Sequence, residues 1–209
     1  MKHILSVLFG CWLPFSSATA GIVLYEPNLP IPQTIDGLYL NVYTGATANV
    51  EPVDYNKAPW INPFFGGTFF GNGNLALPVI TGTDQLLNLT PGTLVDAGST
   101  FAKGEGGSTT HMGPAADQFQ PGVAGYVGFA FQPGMGGSTY YGWANVMFDN
   151  TGAGTIYRYA YEDTAGKGIV TAAVPEPSHA ILLLVGLACF AFRRRILGPR
   201  HPMVAGAGL

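Results

Sequence analysis

Gly125-Tyr126-Val127-Gly128-Phe129-Ala130-Phe131, Tyr140-Tyr141-Gly142-Trp143-Ala144-Asn145-Val146-Met147-Phe148 and Thr155-Ile156-Tyr157-Arg158-Tyr159-Ala160-Tyr161-Glu162 decide the fold. They are aromatic and β-branched runs of strand length. Between them stand Pro133-Gly134-Met135-Gly136-Gly137 and Asp149-Asn150-Thr151-Gly152-Ala153-Gly154, both rich in turn residues. Strand, turn, strand, turn, strand at this spacing predicts a meander of three antiparallel strands.

The pattern extends upstream. Gly37 to Tyr43 alternates Leu38, Leu40 and Val42 with Tyr39, Asn41 and Tyr43, a period of two that implies one buried face. Thr68-Phe69-Phe70, Leu75 to Ile80, Leu86 to Leu89 and Thr100-Phe101-Ala102 are shorter strand candidates between Gly-rich turns. No stretch of residues 21–172 sustains a 3.6-residue apolar period, and no repeat of 20–50 residues recurs. The expected class is all-β, an antiparallel β-sandwich, with a jelly roll among the arrangements this spacing allows.

Both ends of the chain have a different character. Lys2 and His3 precede a run from Ile4 to Phe15 that is apolar apart from Ser6, and Ala18-Thr19-Ala20 follows. Basic start, apolar centre and small-x-small site predict a secretory signal peptide over residues 1–20, with Ala18 and Ala20 filling the peptidase subsites and cleavage before Gly21. Signal peptidase and a Sec-type export route are the implied partners.

At the other end stands Val174-Pro175-Glu176-Pro177-Ser178, in which two prolines forbid a regular helix. Fourteen uncharged residues, His179 to Phe192, come next, and Arg193-Arg194-Arg195 closes the segment. As a helix, residues 179–192 span about 21 Å, short of the about 30 Å of a hydrocarbon core. That length suits a transient inner-membrane stop, with snorkelling arginines held on the cytoplasmic side and residues 21–172 on the periplasmic side.

Composition removes several chemistries from residues 21–172. Cys11 and Cys189 both fall outside them, so this span has no disulfide, thiol nucleophile or Cys-ligated metal. Its one histidine, His111, lies in a Gly/Ser/Thr loop with no nucleophile motif beside it. Four cations face eleven carboxylates, a net charge of −7, which disfavours nucleic acid as a partner. No metal or cofactor is expected. Asp149-Asn150-Thr151-Gly152 has cation-ligating residue types but lacks the EF-hand spacing and reads as a turn, and Asn88-Leu89-Thr90 reads as a chance glycosylation pattern.

The C-terminal segment resembles the PEP-CTERM sorting signal of Gram-negative bacteria. The residues that carry the likeness are Val174, Pro175, Glu176, Pro177 and Ser178, the apolar run, and Arg193, Arg194 and Arg195, over residues 173–195. The same tail is also labelled an ice-binding protein C-terminal segment, which names the tail and not an activity. The resemblance implies export, recognition by an exosortase (a membrane-embedded cysteine transpeptidase), cleavage near Pro-Glu-Pro, and delivery to the cell surface or extracellular matrix. Biofilm and exopolysaccharide are the setting it points to. The chain departs from the pattern in continuing past the arginines as residues 196–209, a cytoplasmic tail by the positive-inside rule.

Three functions are weighed. The first is a non-enzymatic exported surface or matrix protein. The second is a carbohydrate-binding module using Trp143 and the alternating Tyr157, Tyr159 and Tyr161 as a sugar platform on one sheet face, although a period-two aromatic stripe also suits cross-strand packing. The third is a glycosidase drawing two carboxylates from Glu51, Asp54, Glu162 and Asp163.

Overall fold

In the computed structural model, residues 21–82, 85–103 and 112–173 are described. The predicted meander forms as three long strands, β9 (Gly125–Phe131), β10 (Tyr140–Phe148) and β11 (Gly154–Glu162). β10 pairs antiparallel with both neighbours, from Tyr140 opposite Phe131 on one side and Gly142 opposite Tyr161 on the other.

The sheet widens with segments remote in sequence. β1 (Ile22–Tyr25) pairs with the end of β11, Ile22 opposite Glu162, and β2 (Leu29–Ile31) pairs with its beginning. On the other side β7 (Ala76–Pro78) pairs with β9. The order is β1-β11-β10-β9-β7, with β2 beside β1's strand partner. A second sheet has the order β4-β3-β5-β6, from β4 (Thr47–Ala48), β3 (Tyr39–Asn41), β5 (Trp60–Phe64) and β6 (Phe69–Asn72). A two-stranded ribbon joins β8 (Leu94–Val95) to β12 (Ile169–Val170). The named strands pair antiparallel throughout, and a single 3₁₀ turn covers Phe65–Gly67.

Side chains from both larger sheets enter one apolar cluster. Leu40, Val42 and Ile61 come from the four-stranded side, and Val127, Phe129, Phe131, Ile156 and Tyr159 from the meander side, all fully or almost fully buried. Two antiparallel sheets sharing a core are consistent with a β-sandwich.

The opposite face of the meander sheet is covered as well. Tyr126, Tyr141, Trp143 and Ala160 pack with Val79, Leu89, Val95 and Ile169 in a second cluster, contributed by the 79–103 segment and the β8–β12 ribbon. At Gly128 this cover comes so close that a Cβ would stand 2.7 Å from Leu89, 2.8 Å from Val95 and 3.0 Å from Val79. On the four-stranded sheet the one-sided burial read from the 37–43 alternation is corrected, because Tyr39 packs edge-on against Tyr55 at 5.2 Å and Asn41 Oδ1 accepts from the Tyr43 and Thr44 N–H groups. Tyr39 and Asn41 are as buried as Leu38, Leu40 and Val42, and only Tyr43 is exposed.

Six strands were not predicted: β1, β2, β4, β5, β8 and β12. β5 carries Pro63, which normally argues against an interior strand. Here the proline is tolerated because its carbonyl still accepts from the Leu38 N–H at 2.9 Å while its missing donor is not needed for that contact. β1, β8 and β12 are too short to show a period and are defined by partners far away in sequence. Leu86–Leu89 and Phe101 make only isolated bridges.

Candidate functional site

The four aromatics proposed as a sugar platform do not share an exposed face. The register of β10 against β11 slips between Asn145 and Val146, so Arg158 and Ile156 have partners and Tyr157 is the extra residue. This β-bulge reverses the side-chain parity along β11. Ile156 and Tyr159, three apart, consequently both enter the core between the sheets, and Tyr161 follows.

Tyr159 is 1% exposed and stacks on Tyr25 at 4.7 Å between ring centroids. Tyr161 is 6% exposed and meets Phe131 edge-on at 5.3 Å. Burial pushes both phenols upward, Tyr161 to about 12. Trp143 is wholly buried on the other side of the sheet. Tyr126 packs against its ring at 5.4 Å and the Arg158 guanidinium sits 5.8 Å from it. The Trp143 indole N–H has no hydrogen-bond partner. Of the four, only Tyr157 is even partly accessible.

Phe64, Phe65 and Phe69 were among the aromatics the sequence offers for sugar stacking, but sequence reasoning did not set them apart as a group that reaches the surface. Phe64, Phe65 and Phe69 meet at the tip of the β5–β6 hairpin, with centroids 5.3–5.8 Å apart. Phe65 is exposed and holds a φ of 46°, a left-handed conformation costly for a bulky side chain. The signal available was the run Pro63-Phe64-Phe65-Gly66-Gly67, apolar residues running into a glycine turn.

Two of the four carboxylates weighed for hydrolysis make structural contacts, Glu51 is exposed, and Asp163 accepts from the neighbouring Thr164 hydroxyl at 3.2 Å. Asp54 accepts from the Trp60 indole N–H at 3.1 Å. Glu162, 2% exposed, has its Oε2 3.0 Å from Lys167 Nζ, while its Oε1 has no hydrogen-bond partner. Of two surface hollows, one of about 140 Å³ beside Leu75 and Phe131 has no carboxylate in its wall, and one of about 230 Å³ beside Leu87 and Thr93 has Asp117 alone. Neither presents the facing pair that glycoside hydrolysis needs.

Asp149 behaves as a turn residue. Its Oδ1 accepts from the Thr151 hydroxyl at 2.6 Å and from the N–H groups of Thr151 and Ala153 at 2.8 and 3.0 Å. Those bonds hold its carboxyl below the usual range, the Thr151 hydroxyl contributing most. Among the described residues no three His, Cys, Asp or Glu side chains gather as a metal site would require. Asn88 is half-buried; its amide donates to Gln118 O at 3.1 Å and accepts from Tyr126 N–H at 3.0 Å.

The expected leader and the sorting segment flank the described residues in sequence. Ala18, Ala20, His111 and the sorting residues Val174 to Ser178 and Arg193 to Arg195 lie outside the described residues, and Gly21 is the first of them. β1 begins at the very next residue. At the far end, Thr171 is 1% exposed, donates its hydroxyl to Thr90 O at 2.7 Å and accepts from Thr93 N–H at 2.9 Å. Folded structure is thus anchored to within two residues of Ala173.

Residues 173–195 match the PEP-CTERM protein-sorting motif. The match covers about a tenth of the chain and starts where the anchored strand ribbon ends. No curated protein and no solved structure matches the chain. The motif carries export and sorting to the cell surface by an exosortase-type enzyme.

Proposed function

We propose that the protein is a non-enzymatic component of the cell surface or extracellular matrix. It is exported behind a cleaved leader, residues 1–20. It is then held in the inner membrane by the short helix of residues 179–192 and released from it by exosortase cleavage near Pro175-Glu176-Pro177. Residues 21–172 are the delivered cargo. The observation that carries the reading is the sorting motif abutting the last anchored residues of the β fold. The sorting segment has almost no spacer from that fold, so the enzyme works next to a folded domain. The non-enzymatic part is supported by the structural contacts of Asp54 and Glu162 and by the two hollows beside Leu75 and Leu87, neither of which has a reactive pair. Exopolysaccharide is the surrounding such a protein meets. The buried Trp143, Tyr159 and Tyr161 leave the platform form of sugar binding without its rings.

The test is cell fractionation in the native host with Pro175→Ala/Glu176→Ala/Pro177→Ala beside the unaltered chain. Loss of surface-accessible protein and its accumulation in the inner membrane are expected of the variant. Equal surface display of both chains contradicts the reading.

A further inference from the structure

Glu162 ends a long β-strand, is 2% exposed, and leaves one carboxylate oxygen without a partner. A buried carboxylate normally has both oxygens satisfied, because an unpaired charge out of water is costly. Lys167 supplies half of the answer, its ammonium 3.0 Å from Oε2, but its own side chain remains 59% exposed.

What faces Oε1 is the backbone of Gly21. The Gly21 carbonyl accepts from the Asp163 N–H at 2.7 Å, and Ile22 stands opposite Glu162 in the ladder. A Cβ built on Gly21 would overlap Glu162 Oε1 and come within 3.0 Å of Oε2 and of Lys167 Nζ. A side chain there would have to displace the ends of Glu162 and Lys167, so the carboxylate and ammonium lie directly against this backbone. Standard geometry puts a residue's nitrogen about 2.5 Å from its Cβ position, hence within about 5 Å of Oε1.

We propose that Glu162 is the receiving site for the α-ammonium created when the leader is cut before Gly21. This rests on the leader cleavage included in the proposed function. Before the cut, the Gly21 nitrogen is a neutral amide with one proton. Hydrolysis of the Ala20–Gly21 peptide adds water across the bond, leaving a carboxylate on Ala20 and a free amine on Gly21 that is protonated at neutral pH. The new group carries a positive charge and three donors beside an oxygen that has none. Glu162 then bridges two cations, Lys167 on Oε2 and the chain terminus on Oε1, and β1 is locked onto β11. Leader removal thereby completes the fold as well as freeing it.

The experiment uses the exported full chain from its own host. Intact mass first defines the N-terminus; a mature chain starting anywhere but Gly21 overturns the leader reading and this proposal with it. With Gly21 first, the rate of α-amine acylation at neutral pH is followed by peptide mapping. The unaltered chain is compared with Glu162→Gln and with a chain carrying one extra Ala ahead of Gly21. Acylation at least tenfold slower in the unaltered chain than in either variant is expected. Equal rates in all three, with Gly21 confirmed as the first residue, overturn the pairing alone. Should Glu162→Gln fail to fold, the inserted chain still decides, because it keeps the carboxylate and moves the amine away.

Discussion

Tyr161 shows how burial becomes a measurable property of a single residue. Desolvation first, then the neighbouring Tyr25, raises its phenol to about 12 from an ordinary 10.0, and Tyr159 is raised in the same sense. An acid whose folded pKa is raised keeps its proton longer in the folded state than in the unfolded one. Stability is therefore fully present below pH 10 and declines as pH rises from 10 through about 12, by up to about 1.4 kcal/mol per pH unit per phenol. Chemical denaturation at stepped alkaline pH checks this, and Tyr161→Phe should flatten the decline. Trp143 gives a second residue-scale prediction. Its large buried ring makes Trp143→Ala cost about 3–5 kcal/mol, whereas Trp143→Phe should cost much less, because it also removes an indole N–H that has no partner. The sequence left these rings between cross-strand packing and a surface platform. The Tyr157-Tyr159-Tyr161 alternation looks like one face, yet the bulge that displaces Tyr157 has no marker in the residues themselves.

At the scale of elements, the meander was legible because its signals are local: alternation, strand length and turn residues all lie within 38 consecutive positions, 125–162. β1 was not, since its partner β11 lies at the far end of the fold and its four residues are all only half-buried. The cover over the second sheet face escaped for the same reason: loop residues near 79–103 and the β8–β12 ribbon meet only in three dimensions. Two substitutions probe that cover. Gly128→Ala pushes a methyl into Leu89, Val95 and Val79 and should cost about 1–3 kcal/mol. Thr171→Val removes the hydroxyl that serves Thr90 O and Thr93 N–H; Thr90 O keeps the Thr93 hydroxyl and Thr93 N–H keeps Thr90 O, so the loss should cost about 0.5–1.5 kcal/mol. Urea midpoints at unchanged slope measure both. A wild-type midpoint for either variant would show that the ribbon is not anchored as described.

For the whole molecule, the sorting motif was more legible than the chemistry of the β fold. A sorting signal is a linear feature, matched by an enzyme to an extended chain, so composition and order suffice to see it, and residues 173–195 match one. A binding surface on a β fold depends on which rings remain outside, and the fold places most of them inside. Among the described residues, what it leaves toward the surface includes Tyr43 and the Phe64-Phe65-Phe69 tip, and what it leaves unsatisfied inside is the Trp143 indole N–H and one oxygen of Glu162. The most direct measurement on the central claim is the intact mass of the protein recovered from the surface of its own host. A species beginning at Gly21 and lacking the residues that follow the Pro175-Glu176-Pro177 motif is the predicted result. A surface-recovered species retaining Arg193 to Arg195 would contradict exosortase processing, and with it the account of the protein as released surface cargo.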